Sequence, residues 1–186
     1  MSIPVTPSMT TVDDEITLTP VDPVRDVALI HSWVSQERAE FWGMRGKSAG
    51  EVAEIYSYID EQEHLAAYLA SWQGTPWALF QTYDPFVDEI GQFYDRRPGD
   101  VGVHLLLAPG PRPAGLTATL LEFLPRWVFT DPSHQRMVLE PDVRNAKSIA
   151  VLDRVGAVPA HLAQLPDKTA QFAFLTREAW ASTPRP

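Results

Sequence analysis

The stretch Asp100–Leu107 (DVGVHLLL) constrains this chain more than any other. It is an apolar run of strand length, and it ends in Ala108–Gly115 (APGPRPAG), a loop of proline and glycine. An apolar-periodic segment, Leu116–Phe129, follows at once. A buried strand, a Pro/Gly loop and a helix follow one another here, within a chain whose elements read in the order β-α-α-β-β-β-α-β-α-β-β. They point to a mixed α/β architecture.

The rest of the chain reads in keeping with that. ITLTPV at Ile16–Val21 alternates as a strand and is ended by Pro20 and Pro23. Asp22 marks a helix start, and the run Val24–Phe41 places Val27, Ile30 and Val34 on one face. Trp42-Gly43-Met44 is a loop. Ser48 with Glu51 three residues on is a capping-box signature. The helix behind it extends to about Glu63, with Val52, Ile55, Tyr56 and Ile59 as its stripe. Leu65–Trp72 and Trp77–Tyr83, joined by Gln73-Gly74-Thr75-Pro76, form an antiparallel hairpin. Asp84–Gly99 is irregular. Pro125 predicts a kink or an early end in the helix Leu116–Phe129. A strand at Arg136–Glu140, a loop at Pro141–Asn145 and a helix at Ala146–Val155 closed by Gly156 follow. Two final strands lie near Val158–Gln164 and Gln171–Leu175. Met1–Glu15, rich in Pro, Ser and Thr, is expected to be a disordered leader, and residues 16–182 a single domain.

Composition closes several function classes. The chain has no cysteine, which excludes disulfides, thiolate metal sites and a cysteine nucleophile. Its 24 acidic and 15 basic residues give a net charge of -9, which argues against a broad nucleic-acid-binding face. No run approaches the roughly 18 apolar residues of a membrane span. The first residues carry neither the basic cluster nor the apolar core of a secretory signal, so a cytoplasmic protein is expected. His31, His64, His134 and His161 are scattered without metal-ligand spacing, so no catalytic metal is expected.

Chemistry is expected first at the loop. Arg112-Pro113-Ala114-Gly115-Leu116-Thr117 opens a helix, whose free N–H groups and dipole suit a pyrophosphate. Gly115 lets a ligand approach the backbone. No Gly-Lys-Ser/Thr follows, so this is not a P-loop, and two of the three dinucleotide-fold glycines are missing.

This segment resembles the Arg/Gln-x-x-Gly-x-Gly/Ala signature of the GCN5-related N-acetyltransferases, with Thr117 where that family usually has Gly or Ala. Asp100-Val101-Gly102-Val103-His104 resembles the Asp-x-Gly-x-His segment of one branch, the siderophore-biosynthesis acyltransferases. Pro141-Asp142-Val143-Arg144-Asn145 resembles that branch's Pro-Asp-x-Arg-Asn segment, and Trp33 with Phe41-Trp42-Gly43-Met44 its Trp-rich first helix and loop. The resemblance covers about residues 16–176.

It implies the GNAT fold, a mixed sheet in which two parallel central strands splay apart. The pantetheine arm of acetyl-CoA or another acyl-CoA then pairs with backbone near Leu106 and Leu107. His104 and Asp142 would be the catalytic pair, an imidazole base oriented by a carboxylate. Adjacent strands lie about 4.8 Å apart, so the two side chains meet if they face the same way. Arg112, Gly115, Leu116, Thr117, Arg144, Asn145 and Ser148 would contact coenzyme A, with Ser148 near the departing thiolate. Asp142 and Asn145 are alternative caps for the helix from Ala146, Asn145 being the better placed.

Trp42 and the aromatic, acidic segment beginning Tyr83-Asp84 and reaching Tyr94 would border the acceptor. An acidic, aromatic rim suits a cationic amine. The implied function is N-acylation of a hydroxylated amine (N-hydroxycadaverine, N-hydroxylysine or N-hydroxyornithine) in siderophore biosynthesis. Transfer would be direct, in a ternary complex, by a monomer or homodimer. The alternatives are an aminoglycoside 6'-N-acetyltransferase and a non-catalytic coenzyme A-binding or interaction module.

Overall fold

The structure, a computed structural model, describes residues 16–183, so the expected leader lies outside the described residues. In chain order the elements are β1 (Ile16–Pro20), α1 (Val27–Val34), a 3-10 turn over Glu37–Trp42, α2 (Ala49–Glu61), β2 (Leu65–Trp72) and β3 (Thr75–Tyr83). A second 3-10 turn over Glu89–Gln92, β4 (Asp100–Leu107), α3 (Leu116–Val128), β5 (Arg136–Leu139) and α4 (Ala146–Val155) follow. The chain ends in β6 (Val158–Gln164), β7 (Thr169–Thr176) and α5 (Arg177–Ser182). The strands form a seven-stranded sheet in the order β1-β2-β3-β4-β5-β7-β6. Two compact units divide the described chain: residues up to 83 with 104–111, and residues 84–103 with those from 112 onward. Strand β4 contributes its second half to the first unit and its first half to the second.

In the first unit β1, β2 and β3 pair antiparallel, as the hairpin reading anticipates. Ala67 and Leu69 on β2 share a face because strand side chains alternate, and so do Leu106 and Ala108. With Leu79 they make the floor on which α1 and α2 set Ile30, Val34, Val52 and Tyr56. The capping box forms as read. Ser48 Oγ accepts from the Glu51 N–H at 3.2 Å, and Glu51 accepts from the Ser48 N–H at 2.7 Å.

The single helix expected over Val24–Phe41 is instead two pieces. Asp22 caps a preceding turn, accepting from the N–H groups of Val24 and Arg25, and α1 begins only at Val27. At the other end, Ser35 Oγ donates to the His31 carbonyl and Gln36 Nε2 to that of Ser32. Gln36 is extended (φ -77°, ψ 151°), and the chain resumes as the 3-10 turn.

In the second unit β4 pairs parallel with β5 through Asp100↔Arg136, Val101↔Met137 and Gly102↔Val138. The ladder stops there, while β4 runs on to Leu107. Strands β5, β7 and β6 continue antiparallel around a core of Val138, Leu165, Ala170 and Phe172. Pro125 does not end its helix early. It is buried among Leu121, Phe123, Leu124 and Val128, and its carbonyl accepts from the Phe129 N–H at 2.9 Å. Helix α5 was not anticipated; Thr176 caps it, its Oγ1 accepting from the Ala179 N–H at 3.1 Å. Strand β6 closes the sheet's edge. Val158 and Leu162 there are 64% and 60% exposed, and its register on β7 is irregular between Pro159 and Leu162. Among the described residues no helix is long and apolar enough to cross a membrane.

The irregular segment 84–99 is tightly held. Asp84 Oδ1 accepts from the Phe86 N–H at 2.8 Å, and Arg96 Nη1 donates to the Pro85 carbonyl at 3.3 Å. A Cβ on Gly91 would coincide with the Pro85 carbonyl oxygen, a backbone atom that no rotamer change moves aside. Gly91→Ala is therefore expected to destabilise the protein by about 1–3 kcal/mol. It should appear as a lower urea midpoint at unchanged m-value; a wild-type midpoint would contradict the packing described.

Candidate active site

In the first unit the site is assembled on three elements. His104 lies on β4 just past the last rung of the β4–β5 ladder. Its ring centroid is 5.3 Å from that of Tyr83, tilted by 39°, and 6.4 Å from that of Trp42, edge-on at 76°. Tyr83 is the last residue of β3, and Trp42 the last of the 3-10 turn, which Gly43 terminates at φ 80°. Trp42, Tyr83 and His104, three of the residues singled out from sequence, are thus brought together.

Behind Trp42 lies a polar contact that the sequence reading missed. Trp42 Nε1 donates to Tyr56 Oη at 3.4 Å, and Gln81 Nε2 donates to the same oxygen at 3.2 Å. Burial pushes the Tyr56 phenol well above its ordinary pKa, so it stays protonated. Sequence periodicity correctly puts Tyr56 on the buried stripe of α2 but does not reveal what its hydroxyl meets. Gln81, the one amide side chain in β3, is the signal the sequence offers. Leu106 is buried in the core, and the carbonyl of Leu107 accepts from Arg38 Nη2 at 2.7 Å, an arginine also not singled out from sequence. An imidazole beside two aromatic rings can accept a proton, and aromatic faces suit aliphatic and cationic stems.

The second unit carries the other expected residues. Gly115 is the N-cap of α3 at φ 82° and supplies no side-chain cap, and the place a Cβ would occupy there is open space. Leu116, the helix's first residue, is buried, and Arg112 Nη1 lies 3.4 Å from Thr117 Oγ1. A helix start with a left-handed glycine and open room is the kind of backbone that accepts a phosphate.

Asp142 is 5% exposed. Its carboxylate accepts from the Arg144 N–H at 2.8 Å and from the Arg144 guanidinium at 2.6 Å through Nη2. These bonds from Arg144 hold its pKa below the ordinary value. Asn145, not Asp142, caps α4, its Oδ1 accepting from the Ser148 N–H at 3.1 Å. Ser148 is half-buried one turn into that helix. Glu140, two residues before Asp142 and 2% exposed, lies 3.6 Å from Lys168.

Residues of the expected acidic, aromatic rim make local structural contacts. Asp84 and Asp88 spend carboxylate oxygens on the N–H groups of Phe86 and Ile90. Tyr94 donates its hydroxyl to Asp100 Oδ2 at 2.8 Å and sets its ring 5.3 Å from Phe172 and 5.5 Å from Phe174. Among the described residues no three His, Asp or Glu side chains converge as metal ligands.

Comparison with known proteins agrees with this layout. A family model described as acetyltransferase (GNAT) domain matches residues 22–165. N(6)-hydroxylysine O-acetyltransferase of Escherichia coli is 28% identical over 141 residues, covering 73% of this chain and 44% of that protein. The chain therefore spans less than half the length of that relative. N-hydroxyputrescine acetyltransferase of Acinetobacter baumannii is 22% identical over 154 residues, covering 83% of this chain and 74% of that protein. Among solved structures, AAC(6')-Ib in complex with paromomycin and acetyl-CoA superposes with a TM-score of 0.81 at 25% identity, covering 92% of this chain and 99% of that one.

The Asp142 turn makes a direct prediction. With its pKa lowered, Asp142 stabilises the folded state above the ordinary carboxylate range, and that stabilisation is lost as pH falls through the lowered value. In Arg144→Met the Asp142 carboxyl should titrate closer to its ordinary value of about 3.9. Carbon-13 NMR titration reads this directly; an unchanged curve would remove Arg144 as the cause.

Proposed function

We propose, for a chain that belongs to the acetyltransferase (GNAT) domain family, that it transfers an acyl group from acyl-CoA to an N-hydroxylated amine, forming a hydroxamate for siderophore assembly. The observation that carries this reading is His104, set against Tyr83 and Trp42 where β4 has outrun its ladder with β5. Backbone groups on a strand that has left its neighbour pair readily with an extended amide chain, so Leu106 and Leu107 are assigned to the pantetheine arm. The left-handed Gly115 and the uncapped start of α3 fit the pyrophosphate, with Arg112, Leu116 and Thr117 beside it. Arg144, Asn145 and Ser148 complete the coenzyme contacts in this proposal.

His104 acts as the base. It takes the proton from the amine nitrogen as the new C–N bond forms and the C–S bond breaks, releasing coenzyme A as thiol or thiolate. A hydroxylamine nitrogen is weakly basic and arrives neutral, so positioning by Trp42 and Tyr83 contributes as much as deprotonation. Asp142 stays anionic and is assigned to stabilising the protonated imidazole. Asp84 and Tyr94 complete the acceptor border, Tyr94 through its ring, since its hydroxyl is engaged by Asp100.

The names of the E. coli and A. baumannii relatives support the acceptor class. The donor in this reading is acetyl-CoA or succinyl-CoA, and the enzyme works in the cytoplasm as a monomer or homodimer. The likeness to AAC(6')-Ib supports a second reading, an aminoglycoside 6'-N-acetyltransferase.

A thiol-release assay with acetyl-CoA and succinyl-CoA separates these readings. Offered N-hydroxycadaverine, N-hydroxylysine, N-hydroxyornithine and kanamycin, the protein should turn over a hydroxylated amine. His104→Ala should lose roughly 10²–10⁴-fold in kcat while still binding coenzyme A. Turnover of kanamycin alone selects the second reading. Coenzyme A binding without turnover of any acceptor would leave only a binding module.

A further inference from the structure

We infer that Tyr56 is a positioning residue for His104, acting through the indole of Trp42. The inference rests on the reading of His104 as the base. Tyr56 is 2% exposed, yet its hydroxyl oxygen takes two N–H donors, from Trp42 at 3.4 Å and from Gln81 at 3.2 Å. The ring of Tyr56 packs in the core, which fixes where its oxygen lies. Trp42 is only partly buried against that core. Trp42 ends a 3-10 turn that carries a non-helical residue at Ala39, and a left-handed glycine follows it. The hydrogen bond to Tyr56 therefore selects the orientation in which the indole stands edge-on to His104 at 6.4 Å. Tyr56 is a helix residue whose ring packs in the core, while its oxygen reaches a residue beside the reacting group.

Three variants test this: Tyr56→Phe, Trp42→Phe and the double variant. Tyr56→Phe keeps the ring and removes only the oxygen. It is expected to lower kcat about tenfold with the KM for acyl-CoA unchanged within about twofold. In the Trp42→Phe background it should add no further loss, since the path runs through the indole. The Trp42 indole N–H resonance, assigned by its absence in Trp42→Phe, should shift in Tyr56→Phe and exchange faster with solvent. A wild-type kcat in Tyr56→Phe, an equal loss in the Trp42→Phe background, or an unmoved indole resonance would each overturn the inference. The resonance needs no turnover, so it reports the Tyr56–Trp42 hydrogen bond by itself: an active His104→Ala overturns the base assignment and the positioning role with it, while a shifted resonance still shows the bond. Should Tyr56→Phe not fold, an indole N–H of Trp42 in the wild-type protein that exchanges as fast as an exposed one overturns the inference, and a protected one upholds the bond on which it rests.

Discussion

The buried pair Asp100–Arg136 is the interaction on which the geometry of the second unit depends. The Asp100 side chain is fully enclosed and meets Arg136 in a two-pronged bond, both prongs at 2.7 Å. Tyr94 Oη and the Arg97 N–H saturate the carboxylate, while Arg136 Nη2 donates to the Asp95 carbonyl and the guanidinium lies 4.2 Å from the Phe174 ring centroid. Removing one partner from such a pair typically costs about 3–5 kcal/mol. The pair is also the first rung of the parallel ladder. Because side chains alternate along a strand, a slip of one residue would part Asp100 from Arg136 and turn each to the wrong face of the sheet. The ion pair therefore fixes the register of β4 on β5.

Local patterns told the truth where the deciding forces are local. The boundaries of β2, β4, α4 and β6 coincide with those read from alternation, periodicity and turn residues. The capping box at Ser48, the Asn145 cap and the left-handed Gly156 depend on neighbours within four residues, which any reader of the chain sees. The break between α1 and the 3-10 turn was hidden for a different reason. Ala39 stays buried across it, so the apolar pattern runs on while the backbone changes. The side chains that cause the break, Ser35 and Gln36, look like ordinary helix-surface residues.

At the site the same division holds. His104 stands out in the sequence because of the segment around it. What surrounds it does not, because it comes from far along the chain: Tyr83 and Trp42 against His104, Tyr56 and Gln81 behind Trp42. Carboxylates in the segment 84–99 that read as an acceptor rim are partly consumed in shaping turns, and the aromatic Tyr94 is bound into the packing around Phe172 and Phe174. Relatives named for different amines match this chain at 22–28% identity.

Strand β6 presents a long, accessible, partly apolar edge, the arrangement most prone to recruit a strand from a neighbouring molecule. Its own sequence counters that. Pro159 has no N–H to offer, and the irregular register between Pro159 and Leu162 bends the line of donors and acceptors out of the even spacing an incoming strand needs. A net charge of -9 also sets copies of the chain against one another, so the open side of β6 is guarded both by its own backbone and by the charge of the whole chain.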